Sequence, residues 1–202
     1  GKSDLAVELA LALDGEVVNA DAMQLYRGMD VGTAKLALPE RRGVPHHLLD
    51  VLEVTQEASV AAYQRQAREV VDRIVAAGRL PVLVGGSGLY LRAVLDRLEI
   101  PPTDPEVRSR LEAELVREGT GVLYHRLRER DPDAAARILP SNGRRIVRAL
   151  EVQEITGRPF SASLPDPSYL RPTVQLGVRV PRPVLDRRIA DRVDRMWDQG
   201  LV

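Results

Sequence analysis

The amino-acid sequence predicts an α/β fold with a parallel-sheet core and a helical insertion domain. Two observations lead to this prediction. Short β-branched runs alternate with helical patterns in the first half of the chain, and a stretch of about 55 residues beyond Pro101 and Pro102 has helical periodicity without a convincing strand. With 202 residues and 44% hydrophobic content, the chain is long enough to bury one substantial core and a second small subdomain.

The first half reads as two strand–helix units. Residues 4–13 form an apolar helical pattern, and residues 16–20 form a short run typical of a buried parallel strand. A second helix is predicted from an N-cap at Ser59 to a stop at Gly78, and residues 80–84 form a second core strand that leads into another helix. Such units place ligands at the carboxyl ends of parallel strands.

The second half predicts the insertion and a return to the core. Asp131 and Pro132 match a helix N-cap and first turn, and residues 173–180 alternate like a strand that resumes the sheet. The last helix has an apolar face and an arginine-rich face; the apolar face comprises Leu185, Ile189, Val193, Met196 and Trp197. We therefore expect a core of residues 1–103 and 172–202 and a helical insertion of residues 104–171.

Composition narrows the functional class. The 29 Lys and Arg balance 29 Asp and Glu, so phosphate binding must come from local clusters, and no cysteine offers a disulfide or a thiolate site. No apolar run approaches the roughly 20 residues of a membrane span. We expect a soluble cytoplasmic protein with no membrane association and no obligate protein partner. Because it begins at Gly1 without Met, we also expect a trimmed form of a longer protein.

Gly1, Lys2 and Ser3 precede an apolar helix, as the last positions of a Walker-type P-loop do. In that motif backbone N–H groups cradle phosphate, the lysine neutralises it and the hydroxyl holds Mg²⁺. A terminal Gly-Lys-Ser alone is often meaningless, but its place before a helix favours phosphate binding.

Asp21 follows the first predicted strand and so stands at the ligand edge of the sheet. Three interpretations remain open on the residues alone: catalysis, capping of the next turn, or a magnesium ligand.

Other candidate positions also allow a purely structural interpretation. The loop from Gly28 to Lys35 has two glycines, a hydroxyl and a lysine, which suits an anionic ligand but also an ordinary surface turn. His46 and His47 lack the cysteine or spacing of a metal site, so we interpret them as structural or RNA-facing. Ser87 follows the second strand near a substrate position, without the spacing of a hydrolase nucleophile.

Arg144, Arg145 and Arg148 crowd one helical stretch, while Ile146 and Leu150 are predicted to face inward. Such a face is most often solvated, but beside an insertion it equally suits contact with nucleic-acid phosphates.

Six segments in this order resemble the tRNA dimethylallyltransferase family across nearly the whole chain. They are GKS at 1–3, NADAMQLYRGMDVGTAK at 19–35, PHHLLDV at 45–51, LVGGSGLYLRAVL at 83–95, DPEVRSRLE at 104–112 and RRIVRALEV at 144–152. The resemblance implies a P-loop NTPase-like core, Mg²⁺ as cofactor, dimethylallyl diphosphate as prenyl donor and the anticodon stem-loop of tRNA as acceptor. It implies no use of ATP as a substrate.

The resemblance also assigns roles to residues. Asp21 matches the general base, Gly1, Lys2, Ser3 and Arg192 match the diphosphate site, and Ser3 matches the magnesium ligand. The matched tRNA contacts are Asp21, Ala22, Met23, Gln24, Ser87, Arg108, Arg144, Arg145, Ile146, Val147 and Arg148. Ala22 replaces a common Ser, Ser87 a usual Thr and Arg144 a frequent Gln.

Three other functions compete with this interpretation. An isopentenyltransferase acting on free adenine nucleotide would need no helical insertion, a P-loop kinase would turn over ATP, and a non-catalytic RNA-binding module would leave the P-loop without a role.

Overall fold

The computed structural model describes residues 1–163 and 166–201. It is a mixed α/β structure, as predicted. The strands are β1 (Gly15–Asn19), β2 (His46–His47), β3 (Leu80–Val84), β4 (Asp96–Arg97) and β5 (Asp166–Tyr169). The helices are α1 (Lys2–Ala12), α2 (Val60–Ala76), α3 (Gly88–Leu95), α4 (Pro105–Glu118), α5 (Thr120–Arg130), α6 (Pro132–Arg137), α7 (Gly143–Thr156) and α8 (Arg182–Asp198). These elements divide between two compact units.

The first unit contains residues 1–95 and 169–202 and is built on a three-stranded parallel sheet in the order β2-β1-β3. Val17 and Val18 of β1 pair with Val82 and Leu83 of β3 on one side and with His46 and His47 of β2 on the other. Strand β1 is therefore the central strand. The β1 valines are almost completely buried. A short β-branched strand in the middle of a parallel sheet is covered on both faces, which confirms the prediction for this region.

Glycine allows the chain after β3 to approach the chain after β1. A Cβ atom added to Gly85 would lie only 2.2 Å from the backbone carbonyl of Ala20. Any larger residue would force the two strand ends apart, so the Gly-rich turn first serves packing of the backbone. This contact places the residues that follow both strands at one edge of the sheet.

Helix α2 begins and ends where the sequence predicts. The Ser59 side chain accepts a hydrogen bond from the Ala62 N–H, and Gly78 has a φ of 74° just beyond the last turn. The buried face of α2 includes Tyr63, Ala67 and Ile74, which join the core that covers the sheet. The helical spacing of apolar residues therefore decided that this segment is a helix and which of its faces is buried.

The second unit contains residues 96–168 and packs α4, α5, α6 and α7 around a separate apolar core. Asp104 caps α4, Asp131 caps α6 and Asn142 caps α7, each through its side-chain oxygen. Leu111, Leu123 and other apolar side chains of this core are fully buried. The predicted insertion, residues 104–171, overlaps this unit.

The predicted strand at residues 173–180 is wrong. This segment is irregular, and its alternating apolar side chains Val174, Leu176 and Val178 are exposed by 86%, 63% and 49%. Alternation favours a strand only when a neighbouring strand supplies hydrogen bonds and a sheet face, and no described residue does so here.

Helix α8 is present, but most of its apolar face is exposed. Met196 is buried, whereas Leu185, Ile189, Val193 and Trp197 are each at least 38% exposed. Of the residues that the structure describes, none belongs to a helix long and apolar enough to cross a membrane.

Candidate active site at the edge of the parallel sheet

Asn19, the last residue of β1, holds Asp21 in place. Asn19 is 3% exposed, and its Oδ1 accepts a hydrogen bond from the Asp21 N–H at 3.0 Å. Its Nδ2 donates to the carbonyl oxygens of Asp21 and Leu48, while its own carbonyl accepts from the Tyr63 hydroxyl. The backbone around Asp21 is therefore fixed to β1, the loop after β2 and α2.

The two carboxylate oxygens of Asp21 have different surroundings. Oδ1 accepts a hydrogen bond from the Met23 N–H at 3.0 Å and so closes the turn that leads into the short 3₁₀ helix Met23–Leu25. Oδ2 has no hydrogen-bond donor among the described residues. The capping interpretation of Asp21 is thus correct for one oxygen, and the other remains available to a ligand.

Ser87 joins the segments that follow β1 and β3. Its Oγ accepts a hydrogen bond from the Ala22 N–H at 3.2 Å. Two of the predicted RNA-contact residues, Ala22 and Ser87, therefore lie beside each other and beside Asp21. Gln24 also has a structural contact, because its amide donates to the Thr33 carbonyl.

A cavity of about 600 Å³ opens beside Asp21 within the first unit. Its polar groups include Asp21, Asp30 and Arg192, and its apolar side chains come from Met23, Met29, Val31 and Leu201. Gly28, Gly32, Thr33 and Gly200 complete the lining. The cavity brings together three of the predicted site residues, namely Asp21, Met23 and Arg192, and combines charged groups with an apolar surface.

The loop from Gly28 to Lys35 forms one wall of this cavity, but its lysine is not available to an anionic ligand. The Lys35 side chain is 2% exposed and donates to Asp30 Oδ1, Asp50 Oδ1 and the Tyr26 carbonyl. These three acceptors account for the three donors of an ammonium group. The interpretation of Lys35 as an anion contact is corrected: this lysine holds the loop closed.

Lys2 and Ser3 lie in the first turn of α1, whereas neither residue lines the cavity described above. Lys2 is exposed and Ser3 is half-buried. Backbone N–H groups and a hydroxyl at a helix start suit phosphate and Mg²⁺.

No group of three or more His, Asp or Glu residues could hold a metal ion in the described ranges, 1–163 and 166–201. Mg²⁺ does not need such a group, because it usually takes one or two protein oxygens together with water and substrate phosphates.

His46 and His47 have structural partners. Nδ1 of His46 lies 2.9 Å from the Val44 carbonyl, and burial lowers the pKa of this imidazole. Nε2 of His47 lies 2.5 Å from Glu16, and this hydrogen bond lowers the pKa of the Glu16 carboxyl. The two rings thus support β2 against its neighbours, in agreement with the structural interpretation.

The predicted RNA-contact residues of α7 differ in exposure. Arg144 and Arg145 are exposed, with no side-chain partner among the described residues, whereas Arg148 and Arg108 bind the buried Glu151. Ile146 and Val147 are 0% and 2% exposed within the core of the second unit. Their side chains therefore cannot reach a ligand in this structure, because apolar packing turns that face of α7 inward.

Sequence reasoning missed two buried polar residues that organise these sites. Asn19 closes an apolar strand, and Glu151 lies between Leu150 and Val152 in a predicted core stripe. A polar residue embedded in an apolar pattern is the signal that could have identified both, since buried polar groups need partners.

Comparison with known proteins shows which family the chain resembles. The model of the IPP transferase family matches residues 24–202. The chain is 67% identical over its full length to a tRNA dimethylallyltransferase of Streptomyces griseus, and 68% identical to one of Salinispora arenicola. It spans 65% and 59% of the lengths of these two relatives.

Solved structures that resemble the chain have the same family assignment. The chain superposes with a TM-score of 0.79 on a eukaryotic dimethylallyltransferase acting on tRNA, at 29% identity and covering 99% of this chain and 50% of that one. The tRNA isopentenylpyrophosphate transferase of Bacillus halodurans gives a TM-score of 0.63 at 43% identity, covering 100% of this chain and 63% of that one. With the family model matched over most of its length, the chain belongs to the IPP transferase family.

Proposed function

We propose that the protein is a tRNA dimethylallyltransferase. It transfers the dimethylallyl group of dimethylallyl diphosphate to the exocyclic N6 amine of the adenine that is 3′-adjacent to the anticodon, in tRNAs that read codons starting with U. The product is N6-isopentenyladenosine. The observation that carries this proposal is the cavity beside Asp21, which pairs a free carboxylate oxygen with an apolar wall and an arginine.

The lining of the cavity suits both parts of dimethylallyl diphosphate. The five-carbon tail is apolar, and Met23, Met29, Val31 and Leu201 offer it apolar contacts. The diphosphate is a concentrated anion, and Arg192 supplies a permanent positive charge at the same cavity. A nucleotide kinase would need no such apolar wall beside the reacting carboxylate.

Asp21 has the chemistry of a general base for this transfer. The N6 nitrogen attacks C1 of the dimethylallyl group while the bond from C1 to the diphosphate oxygen breaks, and the bonding electrons leave with diphosphate. N6 must then lose one proton, and Oδ2 of Asp21 accepts it. The amine is a poor nucleophile because its lone pair is delocalised into the ring, so a positioned base contributes about 10²–10⁴-fold.

The leaving diphosphate needs positive charge on its own side of the reaction. We assign this role to a P-loop-type turn at Gly1, Lys2 and Ser3 together with Arg192. The Ser3 hydroxyl would hold Mg²⁺, which would supply further positive charge to the diphosphate. The first turn of α1 and the cavity belong to the same compact unit.

The second unit supplies the contacts with tRNA. The net formal charge of the chain is 0, so no global field attracts nucleic acid and local arginines must do so. Arg144 and Arg145 are exposed at the start of α7, and Arg108 lies on the neighbouring α4. Phosphate contacts of this kind position an RNA without reading its sequence.

The test is a transfer assay on the protein at its natural length. It is incubated with labelled dimethylallyl diphosphate and unmodified tRNA, with AMP in place of tRNA, and with ATP alone. Labelled N6-isopentenyladenosine in the digested tRNA is the expected result. Transfer to AMP without transfer to tRNA would replace the proposal with the free-nucleotide enzyme, and ATP turnover without prenyl transfer would replace it with a kinase.

A further inference from the structure

Glu151 is a completely buried carboxylate in the second unit. It is 0% exposed, and it accepts hydrogen bonds from the Asp104 N–H at 3.0 Å, Arg108 Nη2 at 2.7 Å and Arg148 Nη1 at 2.8 Å. Desolvation raises the pKa of the carboxyl, but the hydrogen bonds from Arg108, Arg148 and Asp104 outweigh it, so the pKa lies below its usual value. Glu151 is therefore an ionised link between α7 and the start of α4.

Arg148 directs its donors inward. Beside its bond to Glu151, Nη1 donates to the Pro102 carbonyl at 2.9 Å and Nη2 donates to the Pro101 carbonyl at 2.7 Å. The side chain is only 23% exposed. Arg148 thus ties the segment before α4 to α7, and it shares the buried carboxylate with Arg108.

Arg144 and Arg145, one turn earlier on α7, have the opposite character. Both are exposed, and neither has an ion pair or a side-chain hydrogen bond in the described part of the chain. Two uncompensated cations in the first turn also oppose the partial positive charge of a helix N-terminus. An anion that approaches this turn therefore relieves a repulsion, whereas both terminal nitrogens of Arg148 already donate to Glu151 or to the Pro101 and Pro102 carbonyls.

We propose that Glu151 is a positioning residue for the RNA-binding surface, which orients Arg108 and locks residues 101–104 through Arg148, while Arg144 and Arg145 make the phosphate contacts of α7. This inference rests on the proposed function, since it presumes that the second unit binds tRNA. Its physical basis is preorganisation: an arginine that is already held by a carboxylate loses less freedom when it meets a phosphate.

The decisive measurement is the dependence of tRNA affinity on salt. Each phosphate neutralised by a side chain contributes about one unit to the slope of log K against log salt. This slope is negative, and Arg144→Met should reduce its magnitude by about one unit without loss of thermal stability. The matched variant Arg148→Met, one turn away on the same helix, should leave the slope unchanged while it weakens tRNA binding and lowers the melting temperature.

Glu151→Gln keeps the shape of the side chain and removes its charge. We expect the KM for tRNA to rise at least about fivefold, because Arg108 is no longer held, with a smaller change in kcat and an unchanged salt slope. An unchanged KM for tRNA in folded Glu151→Gln would overturn the positioning role. If this variant does not fold, the KM of Arg148→Met for tRNA tests that role instead, because this variant removes the link between Glu151 and residues 101–102.

An equal reduction in the magnitude of the slope in both methionine variants would overturn the inference, since Arg148 would then contact phosphate itself. An unchanged slope in Arg144→Met, with wild-type protein that binds tRNA, would also overturn it. Failure of the proposed function is a different result: the wild-type protein would then neither bind nor prenylate tRNA.

Discussion

Asp21 and Lys35 illustrate how a charged side chain near the site can be either available to a ligand or fully engaged by the protein. Asp21 uses one oxygen to cap a turn and leaves the other facing Gly86, whose added Cβ would lie 3.9 Å away. Lys35, which resembles a ligand contact in sequence, is enclosed by two carboxylates and a carbonyl. Residue type therefore predicts chemistry, but the partners of each side chain decide whether that chemistry is available to a substrate.

The role of Asp21 can be tested with Asp21→Asn. Turnover should fall by at least about 100-fold with dimethylallyl diphosphate binding largely retained, because the amide cannot accept the N6 proton. Single-turnover kinetics and a separate binding titration give the two quantities. Asp30→Asn is the matched control: Asp30 lines the same cavity but is paired with Lys35, so its loss should reduce turnover much less. Near-normal turnover in Asp21→Asn would remove Asp21 from the role of base.

At the scale of elements, signals that act within one turn predicted the helices correctly, whereas a strand-like alternation was correct only where partner strands pair with the segment. Helix α6 begins at Asp131 and Pro132 as predicted, because an N-cap and a proline at the first position act within one turn. The segment 173–180 has an equally regular alternation, yet a strand needs a partner strand. Helices are therefore more readily predicted than strands in this chain.

Asp131 caps its own helix and also binds the backbone of a second segment. Its Oδ1 accepts from the Ala134 N–H at 3.0 Å and its Oδ2 from the Ser161 N–H at 2.8 Å, and the residue is 2% exposed. Asp131→Ala should cost about 2–4 kcal/mol of unfolding free energy, since a cap is lost and a second N–H is left without its acceptor. Urea denaturation measures this. Ser59→Ala, which removes a cap alone, should cost only about 1 kcal/mol; equal losses would mean that the Ser161 contact adds nothing.

On the scale of the whole molecule, each of the two units has its own apolar core and its own ionic contacts around one carboxylate. In the first unit Glu16 is bound by His47 and Arg79, and in the second Glu151 is bound by Arg108 and Arg148. The pKa values of the Glu16 and Glu151 carboxyls are lower in the folded chain than in the unfolded chain, and this difference makes stability depend on pH.

Stability should therefore fall on the acid side. The folded chain lowers the pKa of the carboxyls of Glu16, Glu114, Asp131 and Glu151, so below about pH 4.5 the unfolded chain takes up protons that the folded chain does not. The lowered pKa of His46 acts with the same sign and begins near pH 6.5. The urea midpoint should be highest near neutral pH, decline slightly below about pH 6.5 and decline steeply below about pH 4.5. A midpoint that stays constant down to pH 3 would contradict these shifts.

The sequence by itself determined β1, β3 and the helices of the first unit, the helical character of the second, and the residues near the sheet edge. It could do so because helix caps, apolar periodicity and glycine turns act over a few neighbouring residues. Tertiary structure alone decided that Lys35 is enclosed, that Arg148 is bound to Glu151 while Arg144 is exposed, and that residues 173–180 are not a strand. Each of these outcomes depends on which groups distant in sequence come into contact, and a side chain is free or engaged only once those partners are in place.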